Sequence, residues 1–167
     1  MRAMAEIRCE TPFGPVALSS ATGTPGLVET VAVALPEGLA LDRCQRATLH
    51  VALGSGEAAT LSLACHPAPG MRVRPAVADG LAAWTVEGPG LAGAFAMPDA
   101  AWLSARHGLS ATGFSAAHAG ISLELRAAGP VVATIPFAVA WARLAPGSEE
   151  EFGPFFAVQK ALAQGAG

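Results

Sequence analysis

Four histidines, three cysteines and thirteen carboxylates are the groups in this chain best suited to do chemistry. His66, His107 and His118, with Cys65, are the set a metal would draw on. Zinc needs three or four convergent nitrogen or sulfur ligands. No two of these residues stand at a ligand spacing such as HxxxH, HxH or CxxC. They read as surface or loop residues, and neither a metal nor a cofactor is expected. Cys65 beside His66 has the residue types of a thiol nucleophile and its base. Neighbours on a strand point to opposite faces, which argues against the pairing. A GxSxG elbow is absent, and Ser55 within Gly54-Ser55-Gly56 reads as part of a turn.

Acid–base work needs carboxylates in unusual surroundings, and Glu29, Glu87, Glu124, Asp79 and Asp99 are the candidates. Glu29 and Glu124 are flanked by apolar residues at strand positions, where a charged side chain ordinarily faces water. A carboxylate pointing into a barrel would instead titrate high and become a candidate acid or base. Trp84, Trp102 and Trp141 are the three tryptophans. Trp usually serves the core with its N–H satisfied at a rim, but in a small barrel it can line a pocket for a flat apolar ligand. Trp84, Glu124, Trp141 and His50 are therefore the candidate ligand-binding residues. Gly88-Pro89-Gly90 lacks the GxxxxGK[ST] and GxGxxG patterns of phosphate loops, and Pro89 lacks a donor, so it reads as a turn.

The elements that must position these groups are short. Nineteen glycines and thirteen prolines fall between apolar runs, as turn punctuation does. Phe13–Ser20 and Leu27–Leu35 read as strands, and Met71–Arg74, Leu81–Glu87 and Leu91–Met97 as further short strands. In Arg46–Cys65, Ala47, Leu49, Val51 and Leu53 alternate with Thr48, His50 and Ala52. After Gly54-Ser55-Gly56-Glu57, Ala59, Leu61, Leu63 and Cys65 alternate with Thr60, Ser62 and Ala64. Period-two alternation on both sides of a glycine turn predicts a β-hairpin. Ile121–Ala127 and Val131–Leu144, around Gly129-Pro130, predict a second, with a bend at Pro136.

Asp99 is placed to cap a short helix through Arg106 that ends at Gly108. The small, polar stretch Leu109–Gly120 reads as loop. Ser148-Glu149-Glu150-Glu151 has the form of a capping box and opens a predicted C-terminal helix over 148–164, with Phe152, Phe155, Phe156, Val158 and Leu162 as its apolar stripe.

Composition bounds the rest. The 167 residues suit a single domain, 1–167, able to bury about 70% of its unfolded surface. Hydrophobic residues make up 52%, but 38 of them are alanines. Charged residues are 14% against about 25% in an average domain. Such a surface favours being covered, by a partner or by copies of itself. Tyrosine and asparagine are absent, and Lys160 is the single lysine against nine arginines, a skew that fits a GC-rich bacterial genome. A net charge of −3 with scattered cations disfavours nucleic acid and basic membrane-surface helices. Three widely spaced cysteines do not form a disulfide framework, although one bridge stays open, and a reducing cytoplasm fits them. The N-terminus lacks the apolar run of a signal peptide, and Val131–Ala142 is too short to span a bilayer.

The expected architecture is mainly β, an antiparallel β-sandwich or small β-barrel with a short C-terminal helix, or alternatively α+β. The expected function is a non-catalytic interaction or assembly domain, its partner itself or another protein through an apolar surface. The alternative is a small barrel that binds, isomerises or cyclises a small apolar molecule in an internal pocket.

Overall fold

The structure, a computed structural model, describes residues 4–117, 119–144 and 152–165. In chain order the elements are β1 (Ala5–Cys9), β2 (Val16–Ser20), β3 (Thr24–Pro25), β4 (Glu29–Thr30), β5 (Arg43–Leu53), β6 (Ala58–Cys65), β7 (Arg72–Ala78), β8 (Leu81–Gly88), β9 (Leu91–Pro98), α1 (Ala100–His107), β10 (Leu109–Ala117), β11 (Gly120–Ala127), β12 (Val131–Arg143) and α2 (Gly153–Gly165). The strands form two antiparallel sheets. One is five-stranded, ordered β1-β2-β6-β11-β10, and the other seven-stranded, ordered β3-β5-β12-β9-β8-β7 with β4 also on β5. The mainly β expectation holds in its sandwich form, with the short helix at the C-terminal end; the sheets do not close into a barrel.

The alternation read from sequence is correct, but both predicted hairpins are not. β5 pairs with β12 in the seven-stranded sheet, while β6 pairs with β2 and β11 in the five-stranded one. Residues 54–57 and 128–130 are thus arches that carry the chain from one sheet to the other. Leu49 and Val51 face Leu61 and Leu63 across the core instead of lying beside them. In the first arch Gly56, φ 76°, is the left-handed residue. The arches lock onto each other: Gly56 N–H donates to Ala127 O at 2.8 Å, Ala127 N–H to Glu57 O at 3.0 Å, and the Ser55 hydroxyl to Ala128 O at 2.9 Å. Local alternation is the same for an arch and a hairpin, so the choice is made by these non-local bonds.

True hairpins form at Asp79-Gly80 and Pro89-Gly90. Each is a two-residue turn, closed by Ala78↔Leu81 and Gly88↔Leu91. The glycine in each supplies the positive φ, 74° and 69°.

Between the sheets the core is aromatic and branched. Trp84 stacks on Phe95 with centroids 5.1 Å apart, and Phe95 on Phe13 at 6.4 Å. Gly93 makes room for Phe13, since a Cβ there would stand 2.5 Å from the ring. The outer face of the seven-stranded sheet is built of small residues, Cys44, Ala83, Ala94, Ala96, Ala138 and Ala140, all buried. Against them α2 sets Ala157, Val158, Ala161 and Leu162. Part of the alanine excess thus has a structural cause: small side chains on the sheet, met by Ala157 and Ala161, let the helix lie close to it.

Three local expectations need correction. The strand expected over Leu27–Leu35 shortens to Glu29–Thr30. Beyond it the chain leaves the ladder and runs along α2, its Val31, Val33 and Leu35 against the helix cluster and Ala34 O accepting from Lys160 Nζ at 2.8 Å. The loop expected over Leu109–Gly120 is largely strand β10, because pairing with β11 outweighs its low strand propensity. Of the expected apolar stripe, Phe155, Val158 and Leu162 pack on the sheet with Ala157 and Ala161, whereas Phe152, just before α2, and Phe156 lie off the docked face. The capping box at Ser148–Glu151 lies outside the described residues.

α1 is as read. Asp99 Oδ1 accepts from Trp102 N–H at 2.8 Å, and Gly108, φ 65°, ends the helix in left-handed conformation. Pro136 sits inside β12, opposite Thr48 and past the end of β9's pairing, which stops at Ala138↔Ala96. Only one neighbour contests its missing N–H there.

Candidate functional site

The four residues singled out from sequence stand on three different surfaces. Trp84 is buried between the sheets in the stack with Phe95. Trp141 shares that inner face, half-buried at the margin of the core and opposite Gly93 of β9. Glu124 lies on the outer, solvent face of the five-stranded sheet, between Thr60 and Thr112 and 3.5 Å from Arg126. His50 lies on the outer face of the seven-stranded sheet, exposed. The two tryptophans therefore share a face, and neither polar residue joins them.

His50 has a neighbour that sequence reasoning did not give it. Its Nδ1 is 3.5 Å from Thr134 Oγ1, and His107 Nε2 is 3.2 Å from Thr134 O. Two histidines 57 positions apart meet around one threonine because β5 pairs with β12 and α1 packs beside them. His66 is exposed after β6, and His118 lies outside the described residues. Among the described residues no three His, Cys, Asp or Glu side chains gather as metal ligands do.

The remaining carboxylates have structural partners or open positions. Glu29 holds Arg46 through both Nε and Nη2, at 2.9 and 2.6 Å, and Arg46 Nη1 donates to Ala161 O of α2 at 2.8 Å. This pair tethers the edge of the sheet to the helix. Asp99 is the α1 cap. Glu87 lies opposite Arg72 on the β7–β8 ladder. Asp79 is exposed on the β7–β8 turn.

The thiols are poor nucleophiles here. Burial pushes each of Cys9, Cys44 and Cys65 up to about 11 from an ordinary 9.0, with Glu10 adding to the effect at Cys9 and Arg46 opposing it at Cys44. All three remain protonated at neutral pH. Cys65 points inward while His66 is exposed, as strand alternation requires. Cys9 and Cys65 are both in register with Val16, one on each side of β2. Two strand spacings, roughly 9–10 Å, exceed the Cα separation a disulfide bridges. All three are free.

The inter-sheet space is filled by Phe13, Phe95, Phe137 and Trp84. A cleft of about 230 Å³ opens where the Asp79-Gly80 turn, the start of α1 and the last turns of α2 meet. Leu81, Pro98 and Leu162 give it apolar walls, and Asp79, Trp102 and Gln159 its polar and aromatic groups. Trp102 was named among the three tryptophans but not chosen; its partners come from elements far apart in the chain, so no spacing announces them.

No family model, no curated protein and no solved structure matches this chain.

Proposed function

We propose that this chain is a non-catalytic interaction or assembly domain that binds a protein partner, a second copy or another chain, through apolar surface. The single observation that carries the reading is the state of α2. Its inner face is docked on the alanine floor, yet Phe152 and Phe156 remain 61% and 42% exposed. An exposed aromatic pair at the start of a helix already anchored by its other side is surface of the kind that interfaces cover. Leu27, 91% exposed beside the edge strands β3 and β4, adds to it. The buried, protonated thiols offer no support to nucleophilic chemistry.

Native mass spectrometry of the full chain purified from its own host tests this. The expected result is a multimer or heteromeric complex, reduced to monomer by Phe152→Ser with Phe156→Ser while the melting temperature holds. A monomer at every concentration, with no companion protein, overturns it.

The small-molecule reading draws support from one observation, the cleft at Trp102.

A further inference from the structure

We propose that the cleft between the Asp79-Gly80 turn, α1 and α2 binds a small organic ammonium ion with an apolar or aromatic body. This gives the small-molecule reading a ligand class and a place, and it stands apart from the interaction surface on Phe152 and Phe156.

The argument begins with charge. Asp79 is the one charged residue lining the cleft. Among the described residues its carboxylate has no ion pair and no hydrogen bond. The other acid nearby, Asp99, spends an oxygen on the backbone of Trp102. Lys160, next to the lining residue Gln159, donates to Ala34 O, in the segment after β4 that runs along α2. The cleft therefore holds an anion that no lining cation neutralises, and it attracts a cation.

The second feature is the aromatic surface. Trp102 is half-buried in the wall. The His107 ring meets it edge-on, with centroids 5.9 Å apart at 71°, and this contact helps fix the indole. An indole beside a free carboxylate is the pairing that favours ammonium, by quadrupole and by charge. Gln159 supplies an amide with no protein hydrogen bond among the described residues, ready to accept from a second N–H. Leu81, Pro98 and Leu162 take the apolar body.

Size sets the class. At about 230 Å³ the cleft is smaller than the roughly 300–1,000 Å³ of drug-sized sites. It suits a body the size of an arylalkylamine. Asp79 is exposed, so the charge contributes selectivity of modest size.

The test is titration of the full chain, ¹⁵N-labelled, with 2-phenylethylammonium chloride, read at the three indole N–H signals. Trp102 is expected to shift saturably with a Kd of about 1 mM or tighter, with Trp84 unmoved in the core. 2-Phenylethanol, the same body without charge, binds about fivefold more weakly, and so does Asp79→Asn, the loss expected for one exposed ion pair. Asn is itself a turn residue, so the hairpin is retained. Glu124→Gln, which removes a carboxylate from the far sheet, leaves the affinity unchanged. A Trp102 signal with no saturable shift up to about 10 mM overturns the proposal. Equal affinity for amine and alcohol, or for wild type and Asp79→Asn, overturns it as well. None of these failures bears on the oligomeric state.

Discussion

The two sheets of this sandwich meet the same core with different outer faces. In the five-stranded sheet β11 alternates, with Leu123, Leu125 and Ala127 inward and Glu124 and Arg126 in water. In the seven-stranded sheet every residue of β9, Leu91–Pro98, is buried. One sheet has a single covered face, and the other has a second face covered in part, where α2 lies over β9 and β12. The contrast separates two uses of apolar residues. Large ones fill the space between sheets, whereas alanines make a floor on which a helix lies close.

If α2 completes the fold of one sheet alone, removing it is the harshest test of the contrast. A chain ended after Phe152 uncovers Cys44, Ala94, Ala96, Ala138 and Ala140 and discards the buried Val158 and Leu162. Full burial of two such side chains contributes about 3–6 kcal/mol, a large part of a domain's stability. The shortened protein is expected to be insoluble or to melt well below wild type in calorimetry. Retention of the wild-type melting temperature would show that the floor is stable uncovered.

The next largest effect tests the shared core. Phe95 is fully buried between Phe13 and Trp84. Phe95→Ala is expected to cost about 3–5 kcal/mol in urea unfolding, because its close-packed neighbours cannot fill the space. The floor is then tested by enlargement. Ala140→Leu forces methyl groups between β12 and α2 and is expected to cost about 1–3 kcal/mol. Thr60→Leu, on the open face of the other sheet, is expected to change stability by less than about 0.5 kcal/mol. Equal costs would erase the distinction between the two outer faces.

What the sequence disclosed follows the same division. The strands with one wet face, β5, β6 and β11, were legible because alternation marks a single covered surface. α1 was legible because Asp99 and Gly108 act within one turn. Both predicted hairpins failed because alternation records which side of a strand is buried but not which strand lies beside it; hydrogen bonds between residues such as Gly56 and Ala127 decide that. The strand expected at Leu27–Leu35 failed for a related reason. Its alternating valines pack on a helix about 120 positions away instead of completing a sheet. The candidate site was the least legible part. Asp79, Trp102 and Gln159 converge from a turn and two helices, and nothing in the spacing of one predicts the others.

The smallest effect compares thiols on the two sides of the structure. Cys9 and Cys65 are buried on the inner face of the five-stranded sheet, and Cys44 is buried under α2, where its Sγ lies 3.8 Å from Ala157 O. Each is raised from 9.0 to about 11. A thiol whose folded-state pKa exceeds its unfolded one stabilises the fold fully below about pH 9 and loses that contribution as pH rises to about 11. For one such thiol the loss by about pH 10 is on the order of 1 kcal/mol. The thiol contribution to the melting temperature should therefore be constant through neutral pH and fall between pH 9 and 11. In Cys44→Ala the alkaline fall is expected to be shallower by one thiol's share, whatever the substitution costs at pH 7. If the curves of variant and wild type stay parallel across that window, water reaches Cys44 and α2 does not seal its side of the sheet.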